Sequence, residues 1–384
     1  MAKQYQDLGI YSDLAHLAQK NLKLYPTMKP GKKAQALVRP WLGCDLGPAK
    51  PQKVKVEKRW TKDGVDGELI TYSVGFGPRT EAYYLRPAGV KGKLPGVVAL
   101  HDHGGFKYYG KEKVALGPDE PTDILKNWYK KAYGGRPFAN EMAKQGFAVL
   151  VPDCFTWGSR KFPLETIGEW DKFQGDALHS KTPMEPWPGI SMPADVSLYS
   201  WTAVTHEHTI QKYCHVLGTS MAGVMAYEDN VAVNYLLSRK DVKPGGAGCV
   251  GLSGGGLRST LLQSTCPSIK AAVVVGLMSS YAGLLDHNVV THTWMMYPSP
   301  EIARHADWPD LVSCRAPSPL MVQYDIEDAL FTLKGMKEAD KKIAALYKGV
   351  GKPNNYVGKF YPGPHKFDVP MQDDANAWLK AQLG

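Results

Sequence analysis

The sequence predicts an α/β fold, a mainly parallel central sheet flanked by helices, with one inserted, lid-like segment. Short, almost wholly apolar runs recur at Gly96-Val-Val-Ala-Leu, Phe147-Ala-Val-Leu-Val, Gly248-Cys-Val-Gly-Leu, Ala271-Ala-Val-Val-Val and Pro319-Leu-Met-Val-Gln. Strands covered on both faces read this way, because neither side meets water. Stretches of helical periodicity alternate with these runs, the order that yields right-handed crossovers and parallel strands. The chain of 384 residues is turn-rich, with 39 Gly and 28 Pro, yet 43% hydrophobic residues suffice for a large core. Collagen-like, coiled-coil and low-complexity classes are excluded.

Along the chain, Leu14, Leu17 and Leu22 recur at helical spacing before Pro26, Pro30 and Pro40 interrupt the pattern. Residues 1–55 are therefore expected as a helical and coil extension, and residues 56–384 as the main domain. Alternation from Val54 to Leu85 predicts an antiparallel pair of strands. Helices are expected at Pro137 to Gln145, Glu228 to Lys240, Leu257 to Ser264, Leu333 to Tyr347 and Met371 to Leu383. A segment at about 155–227, rich in Trp, Pro and His, breaks the β/α rhythm. Its first half reads as a long loop and its second half, His206 to Met225, as helix. An insertion of this kind in an α/β protein lies over the carboxyl edge of the sheet, where ligands bind.

Composition bounds the partners. Lys and Arg number 46 against 37 Asp and Glu, a formal charge of +9, but the basic residues are scattered as short pairs such as Lys32-Lys33. A nucleic-acid groove needs clustering, so no nucleic-acid partner is expected. No run of about 18 apolar residues suggests a membrane span, and the first residues lack the apolar core of a signal peptide. Six cysteines without metal-ligand spacing read as free thiols. A cytoplasmic location follows as the expectation; a leader already removed would leave the same reading. Trp-Pro loops in the insertion leave self-association into a homo-oligomer open.

The chemistry concentrates at Gly251-Leu252-Ser253-Gly254-Gly255, a G-x-S-x-G between an apolar strand and a helical stretch. A nucleophile on a sharp strand-to-helix turn needs small neighbours, because the backbone is strained and the two elements come close. A phosphate-binding loop is the rival, but Leu257-Arg258 stand where its lysine would be. A nucleophilic Ser253 needs an acid and a base further along the chain, in that order. Asp325, Glu327 and Asp328 follow the Pro319 to Val322 strand and are comparable candidates for the acid. His365, in Pro362-Gly363-Pro364-His365 after the last predicted strand, is the candidate base. The oxyanion hole would use the backbone N–H of Gly254 and one from the loop His101-Asp102-His103-Gly104-Gly105-Phe106, with His103 or Gly104 as donor. Metal binding by this loop is disfavoured, since alternate residues of an extended strand face opposite ways. His206-Glu207-His208 reads as helix surface or pocket wall.

His101-Asp-His-Gly-Gly-Phe-Lys-Tyr-Tyr-Gly-Lys-Glu-Lys, Gly218-Thr-Ser-Met-Ala-Gly, Gly251-Leu-Ser-Gly-Gly-Gly, Glu327-Asp-Ala-Leu-Phe and Gly363-Pro-His-Lys-Phe-Asp together resemble bacterial α/β-hydrolases of the acetyl xylan esterase-like and dienelactone hydrolase-like kind. The resemblance runs from about residue 80 to the C-terminus. It implies the α/β-hydrolase fold, a triad of Ser253, Asp328 and His365, and no cofactor; Asp328 occupies the acid position of the E-D-x-L-F motif. Dienelactone hydrolases proper use Cys where this chain has Ser253. Hydrolysis of acetyl or similar small acyl esters, including those of carbohydrates, is the implied activity, with a small-molecule ester as partner. Phe106, Trp157, Trp187 and Trp201 are the expected pocket aromatics. Two alternatives remain: a peptidase or amidase of the same fold, for which about 95 N-terminal residues are too few to build a propeller, and a non-catalytic binding protein that holds an apolar ligand with its tryptophans.

Overall fold

A computed structural model describes residues 3–181, 192–285 and 289–384. Two helices come first, Ser12–Leu22 (α1) and Lys32–Leu42 (α2). The leucine spacing does form α1, but Leu14 and Leu17 are exposed, so the periodicity marks a helix without marking a core face. The segment after Pro26, expected as coil, contains α2, because Pro40 falls in the helix's last turn and removes only one late hydrogen bond. Ala34, Val38 and Leu42 recur every four residues on the buried face of α2.

Three antiparallel strands follow, not the expected two: Gln52–Lys62 (β1), Val65–Ser73 (β2) and Thr80–Pro87 (β3). Leu94–Leu100 (β4) leads to helices Asp123–Tyr133 (α3) and Phe138–Lys144 (α4), then to Ala148–Pro152 (β5). Between β5 and the next strand lie Glu169–Lys181 (α5), Ala194–Val216 (α6) and Met221–Ser238 (α7). The first half of the insertion is thus not simply a loop, since α5 lies within it. The expected helix from His206 to Met225 is two helices, broken at residues 217–220.

Val242–Leu252 (β6) runs into Gly254–Thr265 (α8), followed by Ile269–Val275 (β7). Tyr281–Leu285 (α9), Pro300–His305 (α10) and Trp308–Ser313 (α11) lead to Leu320–Asp325 (β8). Leu333–Gly349 (α12), Tyr356–Tyr361 (β9) and Val369–Leu383 (α13) complete the chain.

The nine strands form one sheet in the order β1-β2-β3-β5-β4-β6-β7-β8-β9. From β5 to β9 every pair is parallel, whereas β1, β2 and β3 join antiparallel. Side chains alternate between two cores because the strand period is two. Val98 and Leu100 of β4 enter the core shared with α2, α7, α8 and α12, while Val97 and Ala99 enter the one shared with α3, α4 and α13. With helices on both faces, function is left to the carboxyl edge, where the turns after β4, β6, β8 and β9 meet.

Candidate active site

At the carboxyl end of β6 the chain turns through Ser253, which has φ +58° and ψ −119°, directly into α8. A serine in this region is strained, and it persists because its surroundings fix it. Its N–H donates to the Val275 carbonyl at 2.9 Å, tying the turn to β7. Gly255 explains the glycine run: a Cβ there would lie 2.2 Å from the Leu100 carbonyl oxygen, so β4 and α8 could not approach as they do.

His365 lies in the loop after β9, and its Nδ1 is 2.6 Å from Asp328 Oδ2 after β8. Asp328 is fixed in turn, its Oδ1 accepting from Leu330 N–H at 2.8 Å. Burial pushes the imidazole pKa down, but the Asp328 charge and hydrogen bond outweigh that and hold it above the ordinary histidine value. Gly276, which sequence reasoning missed, makes room for this ring, since a Cβ there would lie 3.1 Å from His365 Cε1. Nothing in the run Val275-Gly276-Leu277 signals that role. Ser253 and His365 line the same cavity.

Asp325, the neighbouring acid, is also beside the imidazole. Asp325, Asp328 and His365 bring polar atoms within 4.8 Å of one another, the one such group of ligand-type side chains among the described residues. That spacing would admit a cation, but the Nδ1–Oδ2 bond is the geometry of an imidazole steered by a carboxylate. Burial pushes the Asp325 carboxyl up to about 7, opposed by the Lys366 N–H that it accepts.

The loop after β4 reaches the Ser253 turn from the other side. A Cβ on Gly254 would lie 2.7 Å from the His103 backbone nitrogen, so these two residues abut. Beneath the loop, the buried Lys113 ammonium donates to the carbonyls of Asp102 at 2.6 Å and His103 at 3.0 Å. The Asp102 carboxylate accepts from Trp128 Nε1 at 3.2 Å and from the Tyr133 hydroxyl. His103 Nδ1 accepts from Gly105 N–H, which leaves its proton on Nε2 to donate to Glu207 Oε1 at 3.1 Å. His101, by contrast, sits beside the Asp102 carbonyl and Cys154. The three side chains of His101-Asp102-His103 point to different partners and share no ligand position.

Glu207 comes from α6, within the insertion, and lines the cavity with His208. It also accepts from Lys107 Nζ at 2.6 Å and Thr293 Oγ1 at 2.9 Å. Burial would raise its pKa, yet Lys107 and His103 hold it well below the usual carboxylate range. His206 turns away, edge-on to Phe162.

The aromatic expectations divide. Trp201 lines the cavity, and so does Trp128, which the sequence reading passed over. Phe106 does not: it is wholly buried behind the loop, 5.1 Å from the Trp128 ring. Trp157 is also buried, edge-on to His103 with Lys107 Nζ 4.4 Å from its ring, so it buttresses the loop instead of meeting a ligand. Trp187 lies outside the described residues. Leu330 and Phe331, next to Asp328, complete the wall beside the imidazole.

No family model matches the chain. YtaP of Bacillus subtilis (strain 168), which its name places among hydrolases, is 25% identical over 318 residues, covering 81% of this chain and 85% of its own. A solved structure from Bacteroides fragilis NCTC 9343, whose name points to acetyl xylan esterase, superposes with a TM-score of 0.66 at 16% identity, over 94% of this chain and 84% of its own. A glucuronoyl esterase from Solibacter usitatus gives 0.59 at 13% identity, over 94% and 95%. The chain is an α/β-hydrolase-fold protein, and the sequence relative that spans most of it is a hydrolase by name. Among the described residues no helix is long and apolar enough to cross a membrane.

Proposed function

We propose that this chain hydrolyses carboxylic esters through a Ser253–His365–Asp328 triad. One observation carries the reading: a strained serine at a strand-to-helix turn shares its cavity with a histidine whose other ring nitrogen is held by a buried carboxylate. His365 Nε2 takes the Ser253 proton as Oγ attacks the ester carbonyl, and Asp328 fixes the tautomer and stabilises the imidazolium. The backbone N–H groups of Gly254 and His103, which abut at the start of α8, receive the developing oxyanion where the helix dipole also favours negative charge. The imidazolium then protonates the departing alkoxide, leaving an acyl group on Ser253. Water, activated by the same imidazole, attacks that acyl-enzyme and releases the acid.

The test combines fluorophosphonate labelling with turnover of p-nitrophenyl acetate. The wild-type protein is expected to label and turn over, and Ser253→Ala to lose the label and about 10⁴–10⁶-fold in kcat. Equal turnover by Ser253→Ala and an unlabelled wild type would overturn the proposal.

A further inference from the structure

The cavity above Ser253 has a volume of about 750 Å³, far more than an acetyl group fills. Its walls are built from Trp201, Leu277, Trp294, Met296, Leu330 and Phe331, on elements as far apart in sequence as α6 and the turn after β8. Several of the polar side chains among these walls already hold partners, in the wall or behind it. Glu207 accepts from His103, Lys107 and Thr293. His208 Nδ1 accepts from Trp294 Nε1 at 2.9 Å, and His292 Nε2 bonds to the Leu330 carbonyl at 3.0 Å. Asp102 is taken up by Trp128, Tyr133 and Lys113. Among the described residues no Lys or Arg lines the cavity, while Glu207 and Asp102 do.

This distribution selects between ligands. A sugar ring brings several hydroxyls, and each one buried without a partner costs about 1–3 kcal/mol. An apolar group of the same size gains about 25 cal/mol for each Å² it removes from water. A ligand carboxylate would find Glu207 and Asp102, each already paired with a buried lysine behind the wall, and no lining Lys or Arg, so its desolvation would be poorly compensated. Resting on the ester-hydrolase reading above, we infer that the cavity takes uncharged esters bearing a bulky alkyl or aryl group, in preference to acetylated sugars or uronate-bearing substrates.

The experiment compares kcat/KM on esters of similar intrinsic reactivity. 2-Phenylethyl acetate against monoacetylated xylobiose varies the alcohol half, and ethyl hexanoate against ethyl acetate varies the acyl half. At least one apolar ester should exceed its counterpart by 10-fold or more, and the arm in which it does so identifies the half the cavity holds. Leu330→Asn, whose backbone carbonyl still serves His292, should cut that preference at least threefold while the thermal midpoint stays near wild type. If monoacetylated xylobiose is cleaved as fast as 2-phenylethyl acetate and ethyl hexanoate gains nothing over ethyl acetate, the inference is wrong although the hydrolase reading stands. Failure to turn over any ester, together with an unlabelled Ser253, removes the hydrolase reading and this assignment with it.

Discussion

His365 stands between two carboxylates that do different things. Asp328 meets Nδ1 at 2.6 Å and is fixed by Leu330 N–H, so it steers the ring. Asp325 is more deeply buried, has one oxygen on Lys366 N–H, and leaves Oδ1 without a hydrogen-bond partner. A second ionised carboxylate in this spot is costly, which is why burial pushes Asp325 up to about 7. The linkage sign follows. An unfolded aspartate releases its proton near pH ~4, whereas the folded one keeps it to about 7, so this group's contribution to stability falls as pH rises through that interval. Asp325→Asn cannot ionise. The difference in thermal midpoint, variant minus wild type, should therefore grow by roughly 2–4 °C between pH 5 and pH 8. A difference that stays flat across that range would show that Asp325 is already ionised at pH 5. Ser253, Asp328 and His365, the residues of the proposed triad, could be singled out because each follows a strand in the order Ser, Asp, His; preferring Asp328 to Asp325 required either the motif resemblance or the bond to Nδ1.

At the scale of elements, the turn from β6 into α8 was readable because the apolar strand, the glycines and the following helix all signal the same geometry. The insertion was not. Helix α6 buries Val196, Tyr199, Ala203 and Ile210, but also Ser197, Ser200, Thr202 and Gln211, so its hydrophobic contrast is too low to show a face. Its partner α5 packs so closely that a Cβ on Gly175 would lie 2.2 Å from Thr202 Oγ1. What links α6 to the loop after β4 is equally invisible in sequence: Lys107 and Glu207 are 100 positions apart and meet at 2.6 Å, both almost fully buried. Breaking one side of a buried pair strands the other charge, at a cost of about 3–5 kcal/mol, whereas replacing both groups is often close to neutral. Glu207→Gln should thus lose about 3 kcal/mol or more in urea unfolding, and Lys107→Met/Glu207→Gln should be more stable than either single variant. Additive losses in that double-mutant cycle would mean the two groups do not couple. The same Glu207→Gln change weakens the hold on His103, so kcat should fall about tenfold while the more distant walls of the cavity leave KM little changed.

For the whole molecule, the central parallel sheet was plain in sequence, whereas the order of its strands was not, since crossover handedness sets the face on which a helix lies and not which strands are neighbours. The formal charge of +9 now has a partial address. The edge strand β1 is exposed along most of its length and carries Lys53, Lys55, Lys58, Arg59 and Lys62, which discourage pairing with another chain at that open edge. The N-terminal region is less uniform than a helical and coil extension. Ile10, Leu14 and Leu17 are 86%, 57% and 58% exposed, whereas Val38 and Leu42 are fully buried in the same core as α7 and α8. The contact with α7 is direct: Ser220 Oγ donates to the Leu42 carbonyl at 2.8 Å, and a Cβ on Gly223 would lie 2.1 Å from that same oxygen. Arg39 Nη1 also donates to the Thr265 carbonyl at the end of α8, the helix that begins just after Ser253. Two truncations should therefore behave differently. Removal of residues 1–22 deletes mainly exposed surface and should shift the thermal midpoint by no more than about 2–4 °C, with p-nitrophenyl acetate turnover retained. Removal of residues 1–48 uncovers the apolar backs of α7 and α8, and the product should aggregate or melt without a cooperative transition. A cooperative, active protein after the longer truncation would show that α2 is an accessory to the hydrolase fold and not part of its core.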